Sequence, residues 1–89
     1  MRDYSIPAAA QMRAGDMADI KVKSELNAIV WKIEVGAGAS VNAGDILIIL
    51  EAMKMEIPVA APRSGTVHTI LVNEGQHVAE GQPLMVLQF

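Results

Sequence analysis

The chain has 89 residues, room for one domain with a modest core, so a site assembled from several distant loops is not expected. With 52% hydrophobic and 19% charged residues it reads as a folded globule, and its only aromatics, Tyr4, Trp31 and Phe89, leave the packing to aliphatic side chains and provide no platform for stacking bases. A formal charge of −3 with seven scattered Lys and Arg argues against a nucleic-acid partner, and the absence of cysteine excludes disulfides, thiolate nucleophiles and sulfur-ligated zinc.

Residues 1–16, with the run Ser5-Ile6-Pro7-Ala8-Ala9-Ala10, have no period that would bury a face. They are expected to be a flexible tail: the stump of a Pro/Ala-rich linker, or sequence preceding a native start at Met17. The folded domain is then 17–89. No apolar run approaches the length of a membrane span, and 1–11 lacks the sustained apolar stretch of a signal peptide, so no membrane association and a cytoplasmic location are expected.

From Ala18 onward, short β-branched runs alternate with Gly, Asn and Asp, with turn signals every eight to twelve residues. This predicts an all-β sandwich or barrel with strands at 20–24, 29–35, 46–52, 55–60, 66–72 and 84–87, and short bridging strands near Val41 and Val78. No helix is required.

The strand pattern repeats itself. A shift of 37 positions lays Val30 on Val67, Ile33 on Ile70, Val35 on Val72, Gly38 on Gly75, Val41 on Val78, Gly44 on Gly81, Leu47 on Leu84 and Leu50 on Leu87. Neither copy could cover its apolar face alone, so the two are expected to interlock about a pseudo-two-fold axis. The matched glycines supply positive φ in equivalent turns. Gly36-Ala37-Gly38 lacks the third glycine and following helix of a dinucleotide site.

One connection breaks the rule. Between strands 46–52 and 55–60 only Met53 and Lys54 remain for a two-residue turn, whereas the other turns carry Gly, Asn or Asp. Non-glycine residues at positive φ cost about 1 kcal/mol or more each, a strain retained mainly where a side chain has a task. The amine of Lys54 is thereby displayed at a hairpin apex, with Met53 and Met55 as flexible apolar flanks and Glu51 and Glu56 as neighbouring negative charge. For an arbitrary turn lysine, the plain reading is a solvated side chain with both methionines in the core.

The run Glu51-Ala52-Met53-Lys54-Met55, continuing through Glu56-Ile57-Pro58-Val59 to Ala61-Pro62 and Gly65, resembles the attachment signature of the biotinyl domains of biotin-dependent carboxylases and decarboxylases. The resemblance extends over about 18–89, including Ala43-Gly44-Asp45 and Glu80-Gly81-Gln82-Pro83-Leu84. It implies a flattened barrel of two four-stranded antiparallel sheets with quasi-two-fold symmetry, the biotinyl/lipoyl hammerhead type, and a cofactor, biotin, in amide linkage to Lys54. Met53 and Met55 become the flanking recognition residues and Glu51 and Ala52 the rest of the motif. Two departures are Ser24-Glu25-Leu26-Asn27-Ala28, where the family usually reads Ala-Pro-Met, a small residue and Gly, and an equal repeat spacing that leaves no room for a protruding thumb. Because Ala28 aligns with Gly65, the first turn is expected to be less tight.

The resemblance further implies a non-catalytic carrier, monomeric as an isolated domain, of a biotin-dependent carboxylase such as acetyl-CoA carboxylase. A biotin protein ligase would make biotinyl-adenylate and transfer biotin to Lys54. The arm would then move a carboxyl group from a biotin carboxylase to a carboxyltransferase, tethering making each encounter effectively intramolecular. A lipoyl carrier displays its lysine at the same hairpin but usually has Asp before it and a small residue after it, unlike Met53 and Met55. Dual biotin/lipoyl attachment and an unmodified β-barrel interaction module also compete with the biotin carrier. His68 and His77 have no nucleophile or carboxylate at a telling spacing and are not read as catalytic. Trp31 is expected to pack or cover an edge, and Asp45 to cap a turn rather than bind metal.

Overall fold

The computed structural model describes residues 18–89; the tail expected at 1–16 lies outside them. The described residues form eight strands and no helix: β1 (Asp19–Lys23), β2 (Ala28–Ile33), β3 (Ser40–Val41), β4 (Ile46–Ala52), β5 (Met55–Ala60), β6 (Gly65–Ile70), β7 (His77–Val78) and β8 (Pro83–Gln88). They make two four-stranded antiparallel sheets, ordered β1-β8-β6-β3 and β5-β4-β2-β7. Moving every strand on by four converts one order into the other, so the 37-residue repeat of the sequence is the pseudo-two-fold relation of the sheets.

The symmetry reaches individual hydrogen bonds. Gly38 N–H donates to Val67 O and Gly75 N–H to Val30 O, both at 2.7 Å, while Glu34 N–H donates to Leu47 O and Leu71 N–H to Leu84 O, both at 2.9 Å. Asp45 caps its turn by accepting the Asn42 N–H at 2.8 Å, and Gln82 does the same for Ala79 N–H at 3.0 Å. Even the irregularities are paired: the β2–β4 register shifts across Trp31 and the β6–β8 register across His68. Gly38, Gly44, Gly75 and Gly81 all sit at φ between 85° and 90°, a region in which a side chain would be strained.

Leu47, Ile48 and Leu50 of β4 and Leu84, Met85 and Leu87 of β8 are fully buried, and with Val30 and Val67 they form the centre of the core between the sheets. These are matched positions of the two copies, so each repeat supplies half of one shared core. The core also takes Val72, which lies beyond the end of β6.

The departure around Ala28 has a different meaning from the one the sequence suggests. Gly65 opens β6, and a Cβ there would stand 2.6 Å from the Gln88 carbonyl oxygen and 2.7 Å from the Phe89 ring. Gly65 is therefore required by a close approach from across the fold, not by a turn. At the matched place Ala28 faces a region where Ala52 replaces Phe89. The corner before Ala28 is closed by buried Ser24, whose Oγ donates to Leu26 O at 2.5 Å.

Candidate functional site

β4 and β5 pair without interruption from Ile48↔Val59 to Ala52↔Met55, leaving Met53 and Lys54 as the turn. Both sit at positive φ, 53° and 62°, the pattern of the tight hairpin turns that match strand twist. They are the non-glycine residues in this region among the described residues, and at about 1 kcal/mol each the strain is local and real. Directly below the turn Glu51 and Glu56 oppose each other across the strands, a like-charge pair that adds a further few tenths of a kcal/mol, roughly, of repulsion. The hairpin tolerates both because its base is anchored: Leu50 is fully buried, and Ile57 opposite it packs against the core.

The side chains separate by role. Lys54 is exposed, and Met53 and Met55 are 93% and 62% exposed, so the methionines flank the amine in solvent and do not enter the core. Exposing two large apolar groups at a tip serves nothing in folding; it suits insertion into another molecule. Ala52 is half-buried and packs against the core. It also borders a shallow open depression beside Lys54, lined further by Asn27, Ala28, Ile29 and His77.

Nothing in the spacing along the chain brings His77 near Lys54. Its place follows from β7 pairing with β2, which puts His77 opposite Ile29, itself opposite Glu51. His68 lies on the other sheet, its Nδ1 2.8 Å from Thr69 Oγ1. Trp31 follows buried Val30 on the outward side of β2, at the register shift between Val30 and Lys32, and is 48% exposed. A second cleft, lined by Val22, Leu26, Leu50, Ile57 and Val59, runs between the edge strands β1 and β5, away from the amine. Among the described residues, no group of three His, Cys, Asp or Glu is placed to hold a metal ion.

A nucleophilic amine on a rigid, strained, apolar-tipped corner can do one thing well: it can be acylated by an enzyme that encloses the tip. The residues at the apex fit a group joined through the lysine, since Lys54 is exposed among the described residues. Comparison with known proteins points to such a group. Residues 10–87 match the family described as biotin-requiring enzyme. The chain is 47% identical over 58 residues to a biotin/lipoyl attachment protein of Bacillus subtilis (strain 168), an alignment covering 65% of this chain and 80% of that one. Its structure resembles that of a single-chain, multi-domain long-chain acyl-CoA carboxylase (TM-score 0.75, 34% identity), covering 91% of this chain but only 8% of the carboxylase. It also resembles the lipoyl domain of the 2-oxoglutarate dehydrogenase complex from Azotobacter vinelandii (TM-score 0.63, 27% identity), covering 78% of this chain and 92% of that domain.

Proposed function

Since this chain belongs to the biotin-requiring enzyme family, as a biotin carboxyl carrier domain with covalently bound biotin, we propose that Lys54 is the residue to which the cofactor is joined. The observation that carries this is the pair of non-glycine residues at positive φ, which holds one lysine at an uncovered apex between two exposed methionines. When bound, biotin supplies a ureido nitrogen that accepts and releases a carboxyl group.

The chain's own part is to present, hold and deliver. Lys54 Nζ attacks the activated carboxyl carbon of biotin held by a biotin protein ligase; the C–N bond forms, the activating group leaves, and the amine's proton passes to the ligase. Met53 and Met55 give that enzyme an apolar grip on either side of the amine. The sheets beneath fix the direction of the arm, so that delivery to a biotin carboxylase and then a carboxyltransferase is governed by local concentration and not by free diffusion. The carrier contributes no catalytic group to either step.

The proposed parent is a biotin-dependent carboxylase: likeness to the acyl-CoA carboxylase supports an acyl-CoA acceptor, as in carboxylases of the acetyl-CoA type, and equal likeness to a urea carboxylase (TM-score 0.75, 35% identity) supports urea. The setting proposed is a cytoplasmic, monomeric carrier. The test is co-expression with a biotin protein ligase in excess biotin, followed by intact-mass measurement and peptide mapping. One biotinyl group on Lys54, and none on Lys54→Arg, is the expected result. Lipoyl in its place, or label on another lysine, overturns the reading.

A further inference from the structure

The repeat pairs the depression beside Lys54 with a place at the opposite end of the barrel that is already filled. Shifted by 37 positions, its lining residues Asn27, Ala28, Ile29, Ala52 and His77 fall on Ser64, Gly65, Thr66, Phe89 and Ser40. The backbone agrees: Ala28↔Val78 and Ile29↔His77 between β2 and β7 match Gly65↔Val41 and Thr66↔Ser40 between β6 and β3. So do the caps, Glu80 N–H donating to Asn27 Oδ1 at 2.8 Å where Ala43 N–H donates to Ser64 Oγ at 3.2 Å. At the far end the Phe89 ring occupies this place, 2.7 Å from where a Gly65 Cβ would stand, and packs against the core. Beside Lys54 the matched residue is Ala52, which has no ring to offer, and a hollow of about 470 Å³ remains.

We propose that this hollow is a resting site for the ring end of the cofactor carried on Lys54, a urea-bearing fused bicycle that takes the place Phe89 fills at the other end. The proposal rests on Lys54 being the attachment lysine. Lys54 borders the hollow together with Ala52 and Met53, so the arm starts at its rim. Tethering supplies an effective concentration on the order of millimolar, at which even a shallow site is occupied. The walls suit the occupant: Ala28, Ile29, Ala52 and Val78 offer apolar surface to the thioether ring, and Asn27 and His77 are exposed polar groups on the same lining. With Asn27 Oδ1 held by the Glu80 N–H, its Nδ2 points the other way and can donate to the urea carbonyl oxygen, as can whichever His77 ring nitrogen carries hydrogen. Both donors are lost in the other copy, where Ser64 and Ser40 stand at the end that a side chain already fills.

The test compares the full chain by NMR before and after biotin is joined to Lys54. Shift changes at the amides of Asn27, Ala28, Ile29, His77 and Val78 are expected, with through-space contacts from the biotin ring protons to the Ala28 and Ile29 side chains. Ser40, Val41, Ser64 and Thr66, at the matched far end, are the internal control and keep their shifts. The double variant Asn27→Ser/His77→Ser gives this end the residues of the other, and Ser64 shows that serine keeps the cap. It is expected to lose the ring contacts while its remaining amides report the intact fold. Capture by avidin is an independent readout: a ring docked about two-thirds of the time is captured about threefold more slowly than a free one, and the double variant restores the faster rate. Shift changes confined to Met53, Lys54 and Met55, without ring contacts, overturn the proposal while leaving Lys54 as the attachment site. So do equal capture rates for the parent chain and the double variant. A parent chain whose peptide map shows no biotin on Lys54 removes both readings together.

Discussion

The two ends of the barrel are related by the repeat, yet they are put to opposite uses. At one end β8 and β1 run side by side, Phe89 N–H donates to Ala18 O at 3.0 Å, and the Phe89 ring lies over Gly65 with the Arg63 guanidinium 4.2 Å from its centroid. At the other end β4 continues into β5, Ala52 takes the place of Phe89, Ala28 that of Gly65, and the chain closes through Met53 and Lys54 at positive φ. The first end is filled, with its close approach accommodated by a glycine. The second keeps both its strain and its open space. Positive φ falls to glycine at Gly38, Gly44, Gly75 and Gly81, and to larger residues where an amine is displayed.

The largest expected effect belongs to the displayed end: Lys54→Arg keeps the charge and the fold but abolishes biotin incorporation, read by intact mass. Next come the shared supports. Leu50→Ala and Leu87→Ala remove matched, fully buried side chains and are each expected to destabilise by about 2–5 kcal/mol in urea unfolding, with values agreeing to within about 1 kcal/mol. A large inequality would mean that the halves do not share the core equally. Smaller again is Gly65→Ala, expected to lose about 1–3 kcal/mol because its Cβ meets the Gln88 carbonyl, which truncating Phe89 cannot relieve. The reciprocal Ala28→Gly should lose only about 0.5–1 kcal/mol, the ordinary cost of glycine in a strand. Smallest is Met53→Asn, expected to raise stability by about 0.5 kcal/mol by easing the turn, while slowing labelling through loss of one apolar flank.

Much of this architecture is legible in the sequence, and the misses share a cause. Strands 46–52 and 55–60 coincide with β4 and β5 because the apolar register leaves no freedom in the turn. Strands 29–35 and 66–72 run two residues past the ends of β2 and β6, since Val35 and Val72 continue the inward alternation after the ladder has ended, and Val72 is buried from a loop. The strained turn at Met53 and Lys54 can be found because its signal is local: the wrong residues for the turn they occupy. The irregularities at Trp31 and His68, the close approach of Phe89 to Gly65 and the depression beside Lys54 that includes His77 depend on partners distant in sequence. No window of neighbouring residues records them.

The interleaving of the strands has a temporal consequence. Among the described residues β1 pairs with β8 alone, and β2 is bordered by β7 as well as β4, so each sheet draws on both halves of the described chain. During synthesis, Lys54 leaves the ribosome while the strands that complete both sheets are still unmade. The hairpin is therefore presented on its finished scaffold only once the whole domain is made, so any partner that recognises it in that setting acts after synthesis and not during it.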